Sequence, residues 1–389
     1  MNRQPPASSL QPLRILVRGT NWLGDAVMTT PALLRLREKF PDAHIALLTP
    51  DKLADLWKAH LAVDESISFS AGKGIFEVVS KLRSAAGFDV ALVLPNSPRS
   101  ALEIFLARVP QRIGYARPWR NFFLTQAVAP RAEARKMRKR SVAEIKRLAA
   151  STTGRPDSVS GLPQNTAHQM HEYLHLAAML GANPAPLPPQ LFVTPEEMEA
   201  AKEKSGLKNV SGPIFGLNPG AEYGPAKRWP VQRFVAAALE IQKRTNCTWI
   251  LLGGKGDLAI TTQIAAALHA SRVTHHDLSG RTTLRALMAL LKLCRVLLTN
   301  DTGPMHVAGA LGTPVVAPFG STSSELTGPG LPGDSRHRLL KANAPCSPCF
   351  LRECPIDFRC MNGIGVERVV EAVVELAQKS RPLGGDADS

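Results

Sequence analysis

Short apolar runs alternate with helical stretches along most of the chain. The run LRILVRG, which begins at Leu13, leads through a turn into a helical stretch ending near Lys39 and then into a second apolar run, HIALLT. The alternation continues through VVSKLRSAAG, DVALVLPN, SALEIFLARV and the short strand RIGYA. Strand–helix–strand repeats of this kind predict a parallel sheet covered by helices on both faces.

A second series of the same kind starts near Pro213. It runs through PIFGLNPG, VQRFVAAALEIQKR, TWILLGG, LRALMALLKL, RVLLTN, MHVAGALG and TPVVAPFG. Between the two series lies NPAPLPPQLFVTPEE, whose five prolines favour an extended connector, so a hinge is expected at residues 184–195. The length of 389 residues also exceeds what one hydrophobic core usually serves.

The sequence therefore predicts an α/β protein with two Rossmann-like, doubly wound parallel-sheet domains. Residues 151–166 have a loop composition and are expected to form a mobile surface insertion. The predicted division is a first domain at 13–185, a second at 186–365, a C-terminal helix at 366–380 that packs back towards the first domain, and a disordered tail at 381–389.

The net charge of the chain indicates which kinds of partner it could bind. The chain has 47 basic and 32 acidic residues, a net charge of +15, and segment 130–150 alone holds eight lysines and arginines against two glutamates. Such an excess attracts anions, and nucleic acid, an acidic membrane face and a phosphorylated glycolipid all remain possible. With 5% aromatic residues and no recognisable nucleic-acid module, a nucleic-acid partner is not expected.

Neither export nor a membrane span is expected. The first residues are polar and carry three prolines ahead of the first apolar run, unlike a signal peptide. The leucine-rich stretch LMALLKLCRVLL is interrupted by Lys292 and Arg295. We therefore expect a soluble or peripheral protein.

A first candidate for chemistry is RGTNWLGDAVMTT, where a strand ends and Asp25 stands at the start of a helix. Ligands of open α/β sheets bind at this edge. Asp25 is interpreted either as a helix N-cap or as a general base, and its position alone does not decide between them. Pro31 should kink the following helix or begin a new first turn.

The loop GLNPGAEYGPAKRWP is a second candidate. It contains Gly220 and sets Lys227 and Arg228 just before a helix that starts at Pro230. Two cations and backbone N–H groups at one point suit a diphosphate that gains charge as a glycosidic bond breaks. The alternative is a solvated basic turn.

Two further strand ends of the second series carry polar residues. Asp301, Thr302 and Gly303 follow RVLLTN, with His306 one turn later; a lone histidine of this kind is more often packed or capping than catalytic. Asp257 follows ILLGG and is interpreted either as a ligand of ribose hydroxyls or as an N-cap.

Four cysteines crowd together near the end of the chain, at positions 346, 349, 354 and 360. Only the first pair has the C-x2-C spacing of a structural zinc site. Free thiols or an occasional disulfide are therefore favoured over zinc, and no metal is expected.

In this order, ILVRGTNWLGDAVMTTPAL, NPGAEYGPAKRWP, NDTGPMHVAGALGTPVVAPFGSTS and CSPCFLRECP resemble the ADP-heptose:lipopolysaccharide heptosyltransferases of glycosyltransferase family 9, most of all type II. The match extends from about Leu13 to Glu375. Resemblance implies the GT-B fold, with its domains facing across a cleft, and the ADP-heptose donor bound by the C-terminal domain. It also implies inversion at the transferred carbon, with neither a metal nor another cofactor.

Residue by residue, the resemblance places the proposed general base on Asp25 and the phosphate-contacting lysine on Lys227. Its donor loop falls on Asp301, Thr302 and Gly303. Arg228, Gly220, Asp257 and His306 complete the expected donor set.

The implied acceptor is the phosphorylated inner core of lipopolysaccharide, built on Kdo and lipid A, at the cytoplasmic face of the inner membrane. Asn21 and Trp22 are expected acceptor contacts beside Asp25. Arg135 and Arg138 of the basic segment are expected to meet acidic groups of the acceptor or membrane. A heptosyltransferase I-type transferase and a nucleotide-sugar epimerase, both of the same architecture, are the enzymatic alternatives. Product analysis would separate the epimerase because it needs no acceptor.

Overall fold

The computed structural model describes residues 12–379 except residues 71, 86 and 151–163. The predicted tail at 381–389 and most of the predicted insertion at 151–166 therefore lie outside the described residues. No helix within the described part combines the length and apolar character needed to cross a membrane.

The predicted alternation of strands and helices is present in the first half of the chain. Its elements are β1 (Arg14–Arg18), α1 (Leu23–Met28), α2 (Thr30–Lys39), β2 (His44–Pro50), α3 (Asp51–Ala54), β3 (Glu65–Phe69), α4 (Ile75–Ser84), β4 (Val90–Val93), α5 (Pro98–Leu106), β5 (Gln111–Tyr115), β6 (Gln126–Val128), α6 (Val142–Ala150) and α7 (Met170–Ala178). Pro31 lies in the first turn of α2, so the helix breaks ahead of it as predicted.

The same rhythm continues to the end of the described residues. The elements are α8 (Pro195–Lys204), β7 (Ile214–Asn218), α9 (Val231–Thr245), β8 (Thr248–Leu251), α10 (Leu258–Ala270), β9 (His275–Asp277), α11 (Leu284–Leu293), β10 (Val296–Thr299), α12 (Gly303–Ala310), β11 (Val315–Phe319), α13 (Ser324–Thr327), β12 (His337–Lys341), α14 (Arg359–Asn362) and α15 (Val366–Lys379).

The first sheet has the strand order β3-β2-β1-β4-β5-β6, and every pairing is parallel. This is the order of a doubly wound Rossmann sheet. Its central strands are apolar on both faces because helices cover both; Leu16, Ala46, Ala91 and Val93 are buried in one core cluster.

The second sheet repeats this topology, with the order β12-β11-β10-β7-β8-β9 and parallel pairings throughout. Its core is larger and contains tightly packed aromatic side chains. Phe215 and Trp249 meet edge to face with their ring centroids 5.6 Å apart, and Trp229 and Phe234 do so at 5.1 Å. The two predicted doubly wound sheets are confirmed.

Two compact units divide the chain differently from the predicted boundaries. Residues 22–31 and 132–172 belong with the second unit, although the sequence placed them in the first domain. The reason is packing. Helix α1 packs against α12. In the basic segment, the backbone N–H of Arg140 donates to the carbonyl of Cys349, and the side chain of Ile145 is buried in the core of the second sheet.

The C-terminal helix α15 also belongs to the second unit, whereas the sequence predicts that it packs back towards the first domain. Its apolar face, which includes Val369, Val370 and Val373, is buried in the core of the second sheet. It packs against α9, and Arg295 donates to the carbonyl of Ala377 at 2.6 Å. An amphipathic pattern shows that a helix has a buried face but not which sheet covers it.

A buried ion pair fixes the end of β1 in the first unit. Nε of Arg18 donates to the carboxylate of Glu103 on α5 at 2.9 Å, with side-chain exposures of 4% and 0%. Burial lowers the pKa of Arg18, while the facing carboxylate opposes that shift. Nη1 of Arg18 also donates to Asn21 at 3.1 Å, so this pair holds the turn that leads into α1.

We predict that Glu103→Ala lowers the free energy of unfolding by about 3–5 kcal/mol, because it leaves a buried guanidinium without its partner. Glu38→Ala is the matched control: Glu38 is 58% exposed and pairs with Arg35, so its loss should cost under about 1 kcal/mol. Urea denaturation followed by circular dichroism measures both. Equal losses in the two variants would contradict the prediction.

Candidate functional site

Helices α1 and α12 of the second unit pack unusually closely because glycines lie at their contact. A Cβ atom added to Gly24 would lie 2.7 Å from Cδ2 of His306, and one added to Gly303 would lie 2.9 Å from Cδ2 of Leu23. Real Cβ atoms do not approach so near, so any larger residue would push the helices apart. The contact brings Asp25 to the end of the second sheet.

Asp25 is the third residue of α1, and the N-cap position belongs to Trp22. The N-cap interpretation of Asp25 is therefore wrong. Its Oδ1 accepts a hydrogen bond from Nε2 of Gln169 at 3.3 Å.

The environment makes this carboxylate more basic than an ordinary aspartate. Burial raises the pKa of Asp25 to about 6, and the nearby charge of Asp301 adds to the rise. Lys227 and the hydrogen bond from Gln169 oppose the shift by favouring the charged form. At neutral pH the group is therefore mostly ionised yet able to take up a proton.

Lys227 and Asp301 form a largely buried ion pair. Nζ of Lys227 lies 2.6 Å from Oδ2 of Asp301, with side-chain exposures of 15% and 4%. The same carboxylate oxygen accepts a bond from the hydroxyl of Thr322 at 2.5 Å. Two donors therefore fix Asp301 at the carboxyl end of β10, and Asp301 in turn fixes the ammonium group.

The loop that carries Lys227 is tied to the same strand end by Asn300. Its Nδ2 donates to the carbonyl of Pro219 at 2.7 Å, and its Oδ1 accepts from the backbone N–H of Trp229 at 2.9 Å. The Trp229 side chain is buried and donates to the carbonyl of Ile364. Residues 219–229 are therefore anchored at both ends, and the solvated-turn interpretation does not describe them.

Arg228 and Asp257 lie next to each other at the edge of this loop. Nη2 of Arg228 is 3.6 Å from Oδ1 of Asp257, and Oδ2 of Asp257 accepts from the backbone N–H of Gly254 at 3.0 Å. Asp257 precedes α10 but makes no capping bond to it. A Cβ atom on Gly220 would lie 2.2 Å from the Asp257 carboxyl carbon, so only glycine fits there.

The start of α12 completes the arrangement. Thr302 occupies the N-cap position without a side-chain capping bond, and Gly303 begins the helix. His306 lies one turn in, is 5% exposed, and has its pKa lowered to about 4 by burial, so its ring is neutral at pH 7. Backbone N–H groups at a helix start are suited to an anionic ligand.

The predicted acceptor residues are not gathered in the same way. Asn21 is exposed in the first unit and accepts a bond from Arg18. Trp22, in the second unit, is 45% exposed. Arg135 is exposed, and Nη2 of Arg138 donates to both carboxylate oxygens of Glu144 at 2.8 and 2.9 Å, so part of the charge of the basic segment is already neutralised.

All six cysteines are free thiols, and Cys346 and Cys360 are buried. Burial raises the pKa of Cys360 to about 12, so that thiol stays protonated. Within residues 12–379, apart from the gaps stated above, no group of three or more histidines, cysteines or carboxylates is arranged to hold a metal ion.

Three side chains that shape the site were not predicted from the sequence: Gln169, Asn300 and Thr322. Thr322 and Asn300 lie within motifs that the sequence had already marked, next to strand ends. Gln169 comes from a segment 144 residues away from Asp25 along the chain, and no local pattern signals that contact.

Comparison with known proteins agrees with this geometry. Residues 75–358 match the model of glycosyltransferase family 9 (heptosyltransferase). The lipopolysaccharide heptosyltransferase 2 of Salmonella typhimurium is 31% identical over 330 residues, covering 82% of this chain and 85% of that protein. The lipooligosaccharide heptosyltransferase 2 of Haemophilus ducreyi is 30% identical over 328 residues, covering 82% and 86%.

Among solved structures, the ADP-heptose lps heptosyltransferase II of E. coli superposes with a TM-score of 0.74 at 26% identity, covering 94% of this chain and 99% of that one. The E. coli heptosyltransferase WaaC with ADP has a TM-score of 0.64 at 14% identity, covering 94% and 100%, and supports the fold alone. By its family match, its relatives and its paired Rossmann-like sheets, the chain belongs to glycosyltransferase family 9, the heptosyltransferases, and has the GT-B fold.

Proposed function

We propose that this glycosyltransferase moves L-glycero-D-manno-heptose from ADP-heptose onto the first heptose of the lipopolysaccharide inner core, with inversion at the transferred carbon. The observation that carries the proposal is the partly buried Asp25 carboxylate, with a pKa of about 6, close to the Lys227–Asp301 pair. Transfer of a sugar from a nucleoside diphosphate requires a general base next to a cationic site that binds the diphosphate.

In this step, a hydroxyl oxygen of the acceptor attacks C1 of the donor heptose. Its proton passes to Asp25 as the bond between C1 and the phosphate oxygen breaks, and ADP leaves with that bond's electron pair. A base whose pKa lies near the working pH accepts the proton without being protonated beforehand. The attraction from Lys227 keeps it ionised until the hydroxyl arrives.

We assign the donor diphosphate to Lys227, Arg228 and the backbone N–H groups that begin α12 at Thr302 and Gly303. These groups would neutralise the charge that develops on the leaving group. Asp301 keeps the ammonium of Lys227 in place, and His306 lines the site as a neutral group. The absence of a side chain at Gly220 makes room for the carboxyl group of Asp257, which we assign to the ribose hydroxyls.

We assign the acceptor to Asn21 and Trp22, which lie next to α1 in sequence. The acceptor is lipid-linked and anionic, so the enzyme would work as a peripheral protein at the cytoplasmic face of the inner membrane. Arg135 and Arg138 in the basic segment would meet its acidic groups or anionic lipid.

Mass spectrometry of inner-core glycolipid incubated with ADP-heptose tests the transfer. We expect the wild type to add one heptose and Asp25→Asn to lose about 10²–10⁴-fold in rate, because the variant lacks the base. Asp42→Asn, which changes an exposed aspartate, should leave the rate unchanged. Conversion of the donor by the wild type without any acceptor would point to an epimerase and overturn the proposal.

The pH dependence of kcat/KM tests the role of Asp25. The wild-type rate should rise with pH through about 6 and then level off, because the base acts only when ionised. Gln169→Leu removes a bond to the charged form, so this acidic limb should move to higher pH while the plateau rate changes less. Gln126→Leu, at an exposed position of β6, is the control. An unmoved limb in Gln169→Leu would mean that another group titrates.

The thermal stability of the protein should depend on pH, because the charged form of Asp25 is disfavoured in the folded state. Its pKa in the fold, about 6, exceeds the ordinary 3.8, so ionisation destabilises the folded state above about pH 6. We predict that Asp25→Asn melts higher than the wild type at about pH 8, and that the difference disappears as the pH falls through 6 towards 4. Scanning calorimetry at both pH values measures it; a constant difference would be the contrary result.

A further inference from the structure

The segment from Ala116 to Phe123, here called the aromatic loop, presents two nearly bare aromatic side chains to solvent. Trp119 is 89% exposed and Phe122 is 82% exposed. Aromatic side chains of this size are usually buried, or covered by a partner when they lie at a surface. Neither belongs to the site described above.

The exposure is built into the fold of the first unit. Trp119 has a positive φ of 62°, a conformation that bulky residues rarely adopt. The backbone around it is held by the N–H of Arg117, which donates to Oδ1 of Asn121 at 2.9 Å, and by the N–H of Phe123, which donates to the carbonyl of Arg120 at 2.9 Å. The loop thus holds its aromatic residues outward in a fixed conformation.

A buried arginine anchors this loop to the sheet. Arg120 is fully buried, and its Nη1 donates to the carbonyl of Pro95, just beyond β4, at 2.8 Å. Its Nη2 lies so close to Gly114 on β5 that a Cβ atom there would be 2.8 Å away. Phe122 in turn packs on Phe105 of α5, with ring centroids 6.1 Å apart.

The chain segment that contains the loop is basic. Between Asp89 and Glu133 the chain contains six arginines, at positions 99, 108, 112, 117, 120 and 131, and a single acidic residue. That residue is Glu103, which is buried and paired with Arg18 and Arg99. The exposed charges of this stretch are therefore positive, which favours an anionic partner, and none of its carboxylates is exposed to oppose them.

We propose that the aromatic loop is a membrane anchor, in which Trp119 and Phe122 insert into the interface of an anionic bilayer while Arg117, within the loop, meets lipid phosphates. Tryptophan favours the headgroup region because its ring is apolar and carries one N–H donor, and basic residues add attraction to anionic lipid. Side chains that protrude this far can insert between lipid head groups, because the lipids of a fluid bilayer rearrange around them.

This anchor rests on the proposed function only in that a lipid-linked acceptor brings the enzyme to a bilayer. Trp119, Phe122 and Arg117 lie outside the basic segment at residues 130–150, of which residues 132–150 belong to the second unit. Anchoring by the aromatic loop adds an apolar contribution that salt does not screen, whereas attraction through arginines alone would be lost at high ionic strength.

Sedimentation with vesicles tests the anchor. The probe is sucrose-loaded vesicles containing equal amounts of phosphatidylcholine and phosphatidylglycerol, compared with vesicles of phosphatidylcholine alone. We expect the wild type to bind the anionic vesicles more tightly, and Trp119→Ser/Phe122→Ser to lose about tenfold or more in partitioning, because two aromatic side chains no longer leave water. Leu61→Ser, which changes a residue that is 66% exposed ahead of β3, is the matched control and should bind as the wild type does.

Heptose transfer separates this inference from the proposed function. With acceptor embedded in anionic vesicles, the double variant should be slower than the wild type; with deacylated, water-soluble core oligosaccharide, the two should be equal. Wild-type vesicle binding by the double variant would overturn the anchor. So would an equal loss on the soluble acceptor, which would assign the aromatic residues to sugar binding. Failure of the wild type to transfer to either acceptor would refute the proposed function instead, whatever the sedimentation result.

Discussion

The close contact between α1 and α12 is the constraint on which the site depends. Without side chains at Gly24 and Gly303, the two helices approach until His306 and Leu23 fill the space that Cβ atoms would occupy. That approach places a carboxylate from the start of the chain beside a strand end formed more than 270 residues later, at Asp301. A glycine in each motif is therefore a packing requirement, and the chemistry of Asp25 follows from it.

Burial and charge act in opposite directions at this point, and their balance sets the basicity of Asp25. Loss of solvent raises its pKa, Lys227 and Gln169 lower it, and the outcome is about 6. The lysine is itself held by Asp301, which Thr322 orients. The site is thus a chain of neighbouring polar groups, and a change in any one of them alters the proton affinity of the base.

The first unit uses buried arginines to shape its surface. Arg18, paired with Glu103, fixes the end of β1, and Arg120 ties the aromatic loop to the end of β4. Both guanidiniums lie where parallel strands end, and each bonds a loop at this edge. Arg18 donates to the side chain of Asn21, and Arg120, next to the exposed Trp119, donates to the carbonyl of Pro95.

The sequence by itself determined the two Rossmann-like sheets, because the periodicity of apolar residues in strands and helices is visible along the chain. Strands that are buried on both faces appear as continuous apolar runs. It also marked Asp25, Lys227 and Asp301, since polar residues at strand ends are visible in the chain. Only the tertiary structure decided that α1 and the basic segment belong to the second unit, that α15 covers the second sheet, and that Gln169 meets Asp25. These facts depend on contacts between residues far apart in sequence, and no local pattern encodes which partner covers an apolar face.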